Sequence, residues 1–373
     1  IQENMTILAL VGRAFSVSAA GAAAGFAMHI LLARLLDAES YGIFSFIFSI
    51  SVILSFVAAF GFPTLANRLT ATYADVGAEN GKARGLFMFS GLFALLLGLL
   101  TGGVFFGGLS VSGAFADYPA NAFVIGTFLV PVIALMRIYG GFFKGFHKAA
   151  FASGYESAFR DIAFLAALGC AALLLTPEIT ASSALCLYLL ASALTACAAV
   201  MHGILVLRRK PAARTEYAIP VWLRAAWPMM FIVALQILIY RTDVVMLGFL
   251  TDAETTGQYS AAVKIAQGAT LVTIAVLNVF GARAAVMHAR GEFNALSAFY
   301  RKMQVFQGAG VALLALCIAM AAEPVLGFLG PDYMASEMVL YVLLTGLVLD
   351  AALGPAANLM AMTGHERALL KIT

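Results

Sequence analysis

Residues 85–116 read GLFMFSGLFALLLGLLTGGVFFGGLSVSGAFA and contain no Asp, Glu, Lys or Arg. A helix needs about 20 apolar residues to cross a hydrocarbon core of about 30 Å, so this stretch is long enough to span a membrane. Residues 179–207 are uncharged in the same way. Ten long apolar segments occur in tandem, and this repetition predicts an all-α, polytopic membrane protein. The ten predicted transmembrane helices cover residues 5–34, 41–66, 85–112, 119–143, 159–177, 181–207, 222–250, 256–282, 303–328 and 333–361.

The positive charges follow alternate loops. The composition is 62% hydrophobic and 11% charged, whereas about a quarter of the residues in soluble domains are charged. Of the 22 Lys and Arg, 17 lie at even-numbered loops or in the final tail, and the odd-numbered loops have one, Arg34. Because loops rich in Lys and Arg stay in the cytoplasm, we predict a polytopic inner-membrane protein with both ends cytoplasmic. The 17 residues are Arg68, Lys82, Arg84, Lys144, Lys148, Arg160, Arg208, Arg209, Lys210, Arg214, Arg224, Arg283, Arg290, Arg301, Lys302, Arg367 and Lys371.

Several other classes of site find no support in the residues. The four cysteines lie in apolar runs without the spacing of metal ligands, and the five histidines are scattered. We therefore predict no metal site, cofactor or disulfide framework. The basic residues form no nucleic-acid-binding domain, although the cluster at 208–210 can hold anionic lipid headgroups. The first apolar segment is too long for a cleavable signal peptide, and since the chain begins at Ile1 we expect an upstream piece to be missing.

A repeat with a period of 215 residues runs through the chain. Residues 37–45 read DAESYGIFS and residues 252–260 read DAETTGQYS, with five identities in nine positions. The same offset aligns Arg68 with Arg283, and it aligns the Asp-Tyr pair at 117–118 with the Asp-Tyr pair at 332–333. Asp37 and Asp252 suit the start of a helix, and a glycine six positions into each segment lets two helices approach closely. Turn and packing chemistry accounts for these residues without substrate contact.

The repeat predicts the domain organisation. Its two copies are an even number of crossings apart, so they have the same orientation and are related by an axis along the membrane normal. We predict an N-terminal lobe of six helices at 1–207, a cytoplasmic linker at 208–221 and a C-terminal lobe at 222–373. The second lobe has only helices 7–10, so we expect the chain to be truncated from twelve or more helices.

Three stretches resemble a known family. They are LLARLLDAESYGIFSF (31–46) with GFPTLANRLTATY (61–73), FFKGFHKAAFASGYESAFRDIAFLAA (142–167), and WPMMFIVALQILIYRTDVVMLGFLTDAETTGQYSAA (227–262). The chain resembles the Wzx-type polysaccharide flippase branch of the multidrug/oligosaccharidyl-lipid/polysaccharide exporter superfamily. The resemblance implies a two-lobed, V-shaped (MATE-like) transporter with alternating access. It implies as substrate an undecaprenyl-diphosphate-linked oligosaccharide, such as an O-antigen unit of lipopolysaccharide, and it implies neighbouring glycosyltransferases and a glycan polymerase as partners.

Six charged residues fall within the predicted spans: Arg13, Arg137, Arg241, Asp243, Lys264 and Asp350. A charge near the bilayer centre costs about 2.5–3.5 kcal/mol, so these side chains must face a wet cavity or one another. Four are positive and two are negative, which makes the interior net cationic, as an anionic headgroup requires.

The charged residues are assigned roles on this basis. Arg13, Arg137, Arg241 and Lys264 are the candidates for contact with the substrate, with structural pairing inside one lobe as the alternative. Asp243 and Asp350 are structural partners or coupling-ion sites. Arg68, Arg283 and Arg301 are topology signals or salt bridges at a cytoplasmic gate.

Two functional classes compete with a flippase. An enzyme is not favoured, because the sequence has no nucleophile elbow, HExxH motif or phosphate-cradling loop. A cation-coupled multidrug antiporter of the same superfamily is the closer rival. That branch relies on acidic residues in its first lobe, whereas the predicted spans of helices 1–6 contain no Asp or Glu, and Asp161 lies at the mouth of helix 5. This absence favours the flippase.

Overall fold

The computed structural model describes residues 2–76, 80–113, 115, 118–174, 179–210, 214–356 and 359–360, and these residues form helices and turns without a strand. By its contacts the chain divides into two units, Ile1–Gly257 and Gln258–Thr373. The prediction of two repeat lobes that meet at 208–221 remains a prediction. The first unit contains α1 (Gln2–Leu35), α2 (Ala38–Ala59), α3 (Phe62–Val76), α4 (Asn80–Ser112), α5 (Ala120–Gly145), α6 (Ala149–Ser153), α7 (Phe159–Leu174), α8 (Ala181–Arg208) and α9 (Ile219–Leu250).

Helix α2 is the central helix of the first unit. It is buried over most of its length and packs against α4, α5, α8 and α9. Its start is set by Asp37, whose carboxylate accepts a hydrogen bond of 2.9 Å from the Ser40 N–H and so satisfies one free donor of the first turn. Asp252 does the same for Thr255 at 2.7 Å, at the start of α10 (Ala253–Gln267). The predicted role of both aspartates as helix starts is confirmed.

The second predicted helix ends earlier than expected. The sequence predicted one helix over 41–66, but Phe60 and Gly61 adopt positive φ angles of 48° and 74° and separate α2 from α3. A Cβ on Gly61 would overlap the Ala226 carbonyl oxygen of α9, so a glycine is needed for the close approach as well as for the backbone angle. Arg68 therefore lies on a helix, exposed on α3, and not on a loop.

The fifth predicted helix begins earlier than expected. Helix α6, a π-helical turn at Gly154–Ala158 and α7 form one uninterrupted helical run from 149 to 174. The sequence predicted a start at 159, which would leave Arg160 and Asp161 at the helix mouth. That placement is wrong, because both residues are more than ten positions inside the run. Wide turns of this kind occur within α-helices, frequently at functional sites.

The second unit holds the later helices. Helix α10 continues through a 3₁₀ turn at Gly268–Thr270 into α11 (Leu271–Ala289), followed by α12 (Phe293–Met320), α13 (Ala322–Leu329) and α14 (Glu337–Ala352). The predicted ninth helix, 303–328, thus begins earlier and breaks after Met320. The predicted tenth, 333–361, ends at Ala352 because Gly354 has a φ of 71°. Arg367 and Lys371 lie outside the described residues.

Seven helices of the described chain are long and apolar enough to cross a membrane. They include α2, α4, α5, α8 and α12, and their presence identifies a multi-pass membrane protein. Helices also occupy the other predicted segments, but α7 is short, α9 carries charges and the run from α10 to α11 is interrupted. The number of ten spans remains a prediction.

The two repeated glycines meet. A Cβ on Gly42 would overlap the Ala253 carbonyl oxygen and lie 2.8 Å from the Gly257 nitrogen. A Cβ on Gly257 would overlap the Ala38 carbonyl oxygen and lie 2.9 Å from the Gly42 nitrogen. Gly42 thus approaches Ala253, and Gly257 approaches Ala38, which is the residue equivalent to Ala253 in the first copy of the repeat. The contact is reciprocal, as in an interface with two-fold symmetry. The expectation that these glycines permit close helix approach is confirmed.

The orientation can be tested by thiol labelling. In a background without the four cysteines, single cysteines at Ser40 and Thr255 are expected to react with an impermeant thiol reagent added from outside. Cysteines at Lys82 and Lys210 are expected to react only after the membrane is opened, because loops rich in Lys and Arg stay in the cytoplasm. The reverse pattern would overturn the predicted topology.

Candidate functional site

Arg137 lies in the middle of α5 and turns its guanidinium onto an aromatic ring. Its Cζ is 3.4 Å from the centroid of Phe56 on α2, and the side chain is half-buried. It interacts electrostatically with Glu156, Arg160 and Arg241. A cation over an aromatic face gains about 0.5–2 kcal/mol, more when it is desolvated. The contact therefore stabilises a charge that lies inside the helix bundle.

Arg160 and Asp161 form an ion pair within the first unit. The Arg160 Nε donates to Asp161 Oδ1 at 2.7 Å, and the two side chains are only 14% and 6% exposed. The Arg160 Cζ also lies 5.2 Å from the ring centroid of Tyr188 on α8. On the other side of the carboxylate, a Cβ on Gly25 of α1 would lie 3.2 Å from Asp161 Oδ2. Helices α1, α7 and α8 thus enclose this pair.

Arg241 completes the cluster from α9. Its Cζ is 5.1 Å from the ring centroid of Phe48 on α2, and it interacts electrostatically with Tyr188, Asp243 and Arg160. The Phe48 and Tyr188 rings touch edge to face at 5.2 Å, so the guanidiniums of Arg241 and Arg160 lie on one connected aromatic surface.

We call Arg137, Arg160 and Arg241 the three-arginine site. Its members come from α5, α7 and α9, and Arg160 and Arg241 each interact with Arg137. Asp161 and Asp243 are the carboxylates beside Arg160 and Arg241, whereas Glu156 is held by Lys144 at 2.7 Å. Three cations beside two carboxylates leave a net positive charge among aromatic rings. Such a cluster can bind an anion such as a phosphate.

Two of the four sequence-predicted substrate contacts are therefore close together, Arg137 and Arg241. Lys264 belongs to the second unit and its ammonium donates to Gln267 Oε1 at 3.3 Å. Arg13 lies on α1, but its side chain is outside the described residues. Their part in the site remains a prediction.

The remaining predicted residues have varied surroundings. Asp243 accepts a hydrogen bond from the Val244 N–H at 2.8 Å and lies near Arg241. Asp350 and Arg301 are exposed on α14 and α12 of the second unit. The Arg283 side chain is outside the described residues. The coupling and gate roles assigned to these residues remain predictions.

Arg160 is the member that the sequence analysis missed. It was counted with the cytoplasmic loop charges because helix 5 was predicted to begin at 159. The run from 149 to 174 contains no proline, and this uninterrupted stretch was the available signal for an earlier start. The same error affected Asp161. It lies twelve residues after Ala149, or about 18 Å along a helix, so it is an acidic residue well inside the helical run and not at its start.

The comparison with known proteins agrees with a role in glycan assembly. A family model described as polysaccharide biosynthesis protein matches residues 11–285, which is well over half of the chain and includes the three-arginine site. No curated protein sequence matches the chain significantly.

Proposed function

The chain belongs to the polysaccharide biosynthesis protein family, and we propose that it is the membrane transporter of that process. The proposed substrate is an undecaprenyl-diphosphate-linked oligosaccharide, such as an O-antigen unit, which the protein moves across the bacterial inner membrane by alternating access. The proposed partners are the glycosyltransferases that make the unit, the polymerase that uses it and the surrounding lipids. The protein itself needs no catalytic step, because flipping breaks no covalent bond.

The observation that carries the proposal is the three-arginine site. Charges inside a membrane protein are costly and mark substrate or ion pathways. Here three guanidiniums from different helices converge within electrostatic range, and the two neighbouring carboxylates, Asp161 and Asp243, do not balance their charge. Arginine is suited to phosphate because its planar donors can form two parallel hydrogen bonds to one phosphate group.

The aromatic rings suit the transport step. A phosphate bound by several fully solvated lysines would be weakly held, and one bound in a single dry ion pair would be trapped. The guanidiniums lie over the rings of Phe56, Tyr188 and Phe48, so each cation is stabilised by an aromatic face in addition to any nearby carboxylate. Each charge-assisted hydrogen bond then contributes about 1.5–3 kcal/mol, enough to select a diphosphate and still release it.

A cation-coupled multidrug antiporter remains the second candidate, because one observation now favours it. An antiporter of this superfamily needs an acidic residue in its first lobe, and Asp161 is a buried carboxylate inside α7. Against it, Asp161 is already bonded to Arg160, and a cationic drug would meet three arginines. The flippase is therefore preferred.

The function can be tested in proteoliposomes. Purified protein is expected to move a fluorescent undecaprenyl-diphosphate oligosaccharide between leaflets, measured as label that becomes accessible to an impermeant quencher. The same vesicles are expected not to exchange a fluorescent cationic drug for protons. Drug exchange without movement of the glycolipid would replace the flippase by the antiporter.

A further inference from the structure

The ion pair of Arg160 with Asp161 is difficult to explain as a structural device. Removing two charges from water costs more than a pair usually returns. A pair that joins two helices can at least fix how they pack. Arg160 and Asp161 are neighbours on one helix, so their bond of 2.7 Å links no separate parts of the fold.

The surroundings of the pair point to a binding role. The ring of Tyr188 lies under Arg160 and is fully buried, yet among the described residues its hydroxyl has no hydrogen-bond partner. A buried polar atom without a partner requires an explanation. A ligand oxygen that is bound at Arg160 would supply one. Helix α1 approaches Asp161 closely at Gly25, where a Cβ would lie only 3.2 Å from Asp161 Oδ2, so the missing side chain is what lets the carboxylate occupy this position.

We propose that Asp161 is the resident anion of the three-arginine site. Its carboxylate occupies Arg160 until a phosphate group of the substrate takes its place, and it returns as the phosphate leaves. The inference rests on the proposed function and identifies the ligand that competes with Asp161 as a phosphate or diphosphate. The exchange keeps the buried guanidinium of Arg160 paired throughout, so this cation is never left buried without an anion during loading or release.

The proposed exchange predicts that removing the Asp161 charge strengthens ligand binding but slows transport. Asp161→Asn keeps the side-chain volume but removes the competing charge. The purified full chain in detergent is therefore expected to bind undecaprenyl diphosphate more tightly, with a Kd lower by roughly tenfold, the size of one charge-assisted hydrogen bond. Turnover in proteoliposomes is expected to fall, because release becomes slower. Inorganic pyrophosphate is expected to show the same tightening, since the phosphate and not the lipid competes with Asp161.

A matched carboxylate separates this exchange from a general charge effect. Glu156→Gln also removes one negative charge from the run at 149–174, but Glu156 is held by Lys144. It is expected to change the Kd much less than Asp161→Asn does.

A second pair of variants acts without changing charge. Gly25→Ala places a methyl group 3.2 Å from Asp161 Oδ2, whereas Gly21→Ala places one 3.0 Å from the Ala158 Cβ on the same helix face. Gly25→Ala is expected to weaken the hold of Asp161 and tighten diphosphate binding, and Gly21→Ala is not. These variants decide the question if Asp161→Asn does not fold.

The two proposals fail in different ways. If the wild-type protein does not bind undecaprenyl diphosphate, the proposed function is wrong. If the wild-type protein binds it and neither Asp161→Asn nor Gly25→Ala binds either ligand more tightly, Asp161 is a structural partner and only the inference is wrong.

Discussion

Arg137→Ala is expected to lose most glycolipid transport while the protein still inserts and folds. The change removes one guanidinium of the three-arginine site and its contact with Phe56 at 3.4 Å. One charge-assisted hydrogen bond contributes about 1.5–3 kcal/mol, so kcat/KM is expected to fall by roughly 10- to 100-fold. The measurement is the initial rate of flipping in proteoliposomes at several substrate concentrations, with equal amounts of reconstituted protein.

Two further variants identify what Arg137 supplies. Arg137→Lys keeps the charge but cannot lie flat on the Phe56 ring or form two parallel bonds to phosphate. It is expected to recover only part of the rate. Arg224, an exposed residue near the start of α9, provides the matched control, and Arg224→Ala is expected to transport normally. Equal losses in both alanine variants would mean that total positive charge, and not the site, drives transport.

Much of the fold could be predicted from hydropathy, because a bilayer imposes a minimum apolar length on each spanning helix. The segments predicted at 85–112, 119–143 and 181–207 correspond closely to α4, α5 and α8. The paired helix starts at Asp37 and Asp252 followed from the repeat. These features depend on local sequence, and local sequence is sufficient to predict them.

The predicted helix ends were wrong where tertiary contacts, and not local sequence, determine where a helix begins or ends. The break at Phe60 and Gly61 depends on the backbone of α9, which approaches Gly61 too closely for a side chain. The early start of the run at 149–174 includes Glu156, paired with Lys144, and a hydropathy pattern treats such a charged residue as loop. Because Arg160 and Asp161 follow this segment, the same misreading concealed a member of the candidate site. Arg137 and Arg241 could be found because they interrupt otherwise apolar helices.

Gly42→Ala is expected to be among the most damaging single changes in the chain, although it adds only one methyl group. That methyl would overlap the Ala253 carbonyl oxygen, which is backbone and cannot rotate away. Helices α2 and α10 would have to separate. Overpacking of a core costs about 1–3 kcal/mol or more, so the expected result is a lower Tm and loss of transport.

Gly103→Ala is the matched control for this substitution. Gly103 also lies inside a long apolar helix, α4, but a Cβ there would have nothing within 4 Å. Alanine favours helix by about 1 kcal/mol over glycine, so this variant is expected to be at least as stable as the wild type. If Gly42→Ala and Gly103→Ala melt at the same temperature, the close contact at Gly42 is not present in the protein.

The reciprocity of the contact makes a stronger prediction for Gly257→Ala. Its methyl would overlap the Ala38 carbonyl oxygen, just as the methyl of Gly42→Ala would overlap the equivalent oxygen of Ala253. The two single variants are therefore expected to lower the Tm by similar amounts. Once either methyl has separated the helices, the second finds the space already open, so the double variant is expected to cost less than the sum of the singles. Full additivity would mean that the two glycines act at independent places and that α2 and the start of α10 are not in close contact there.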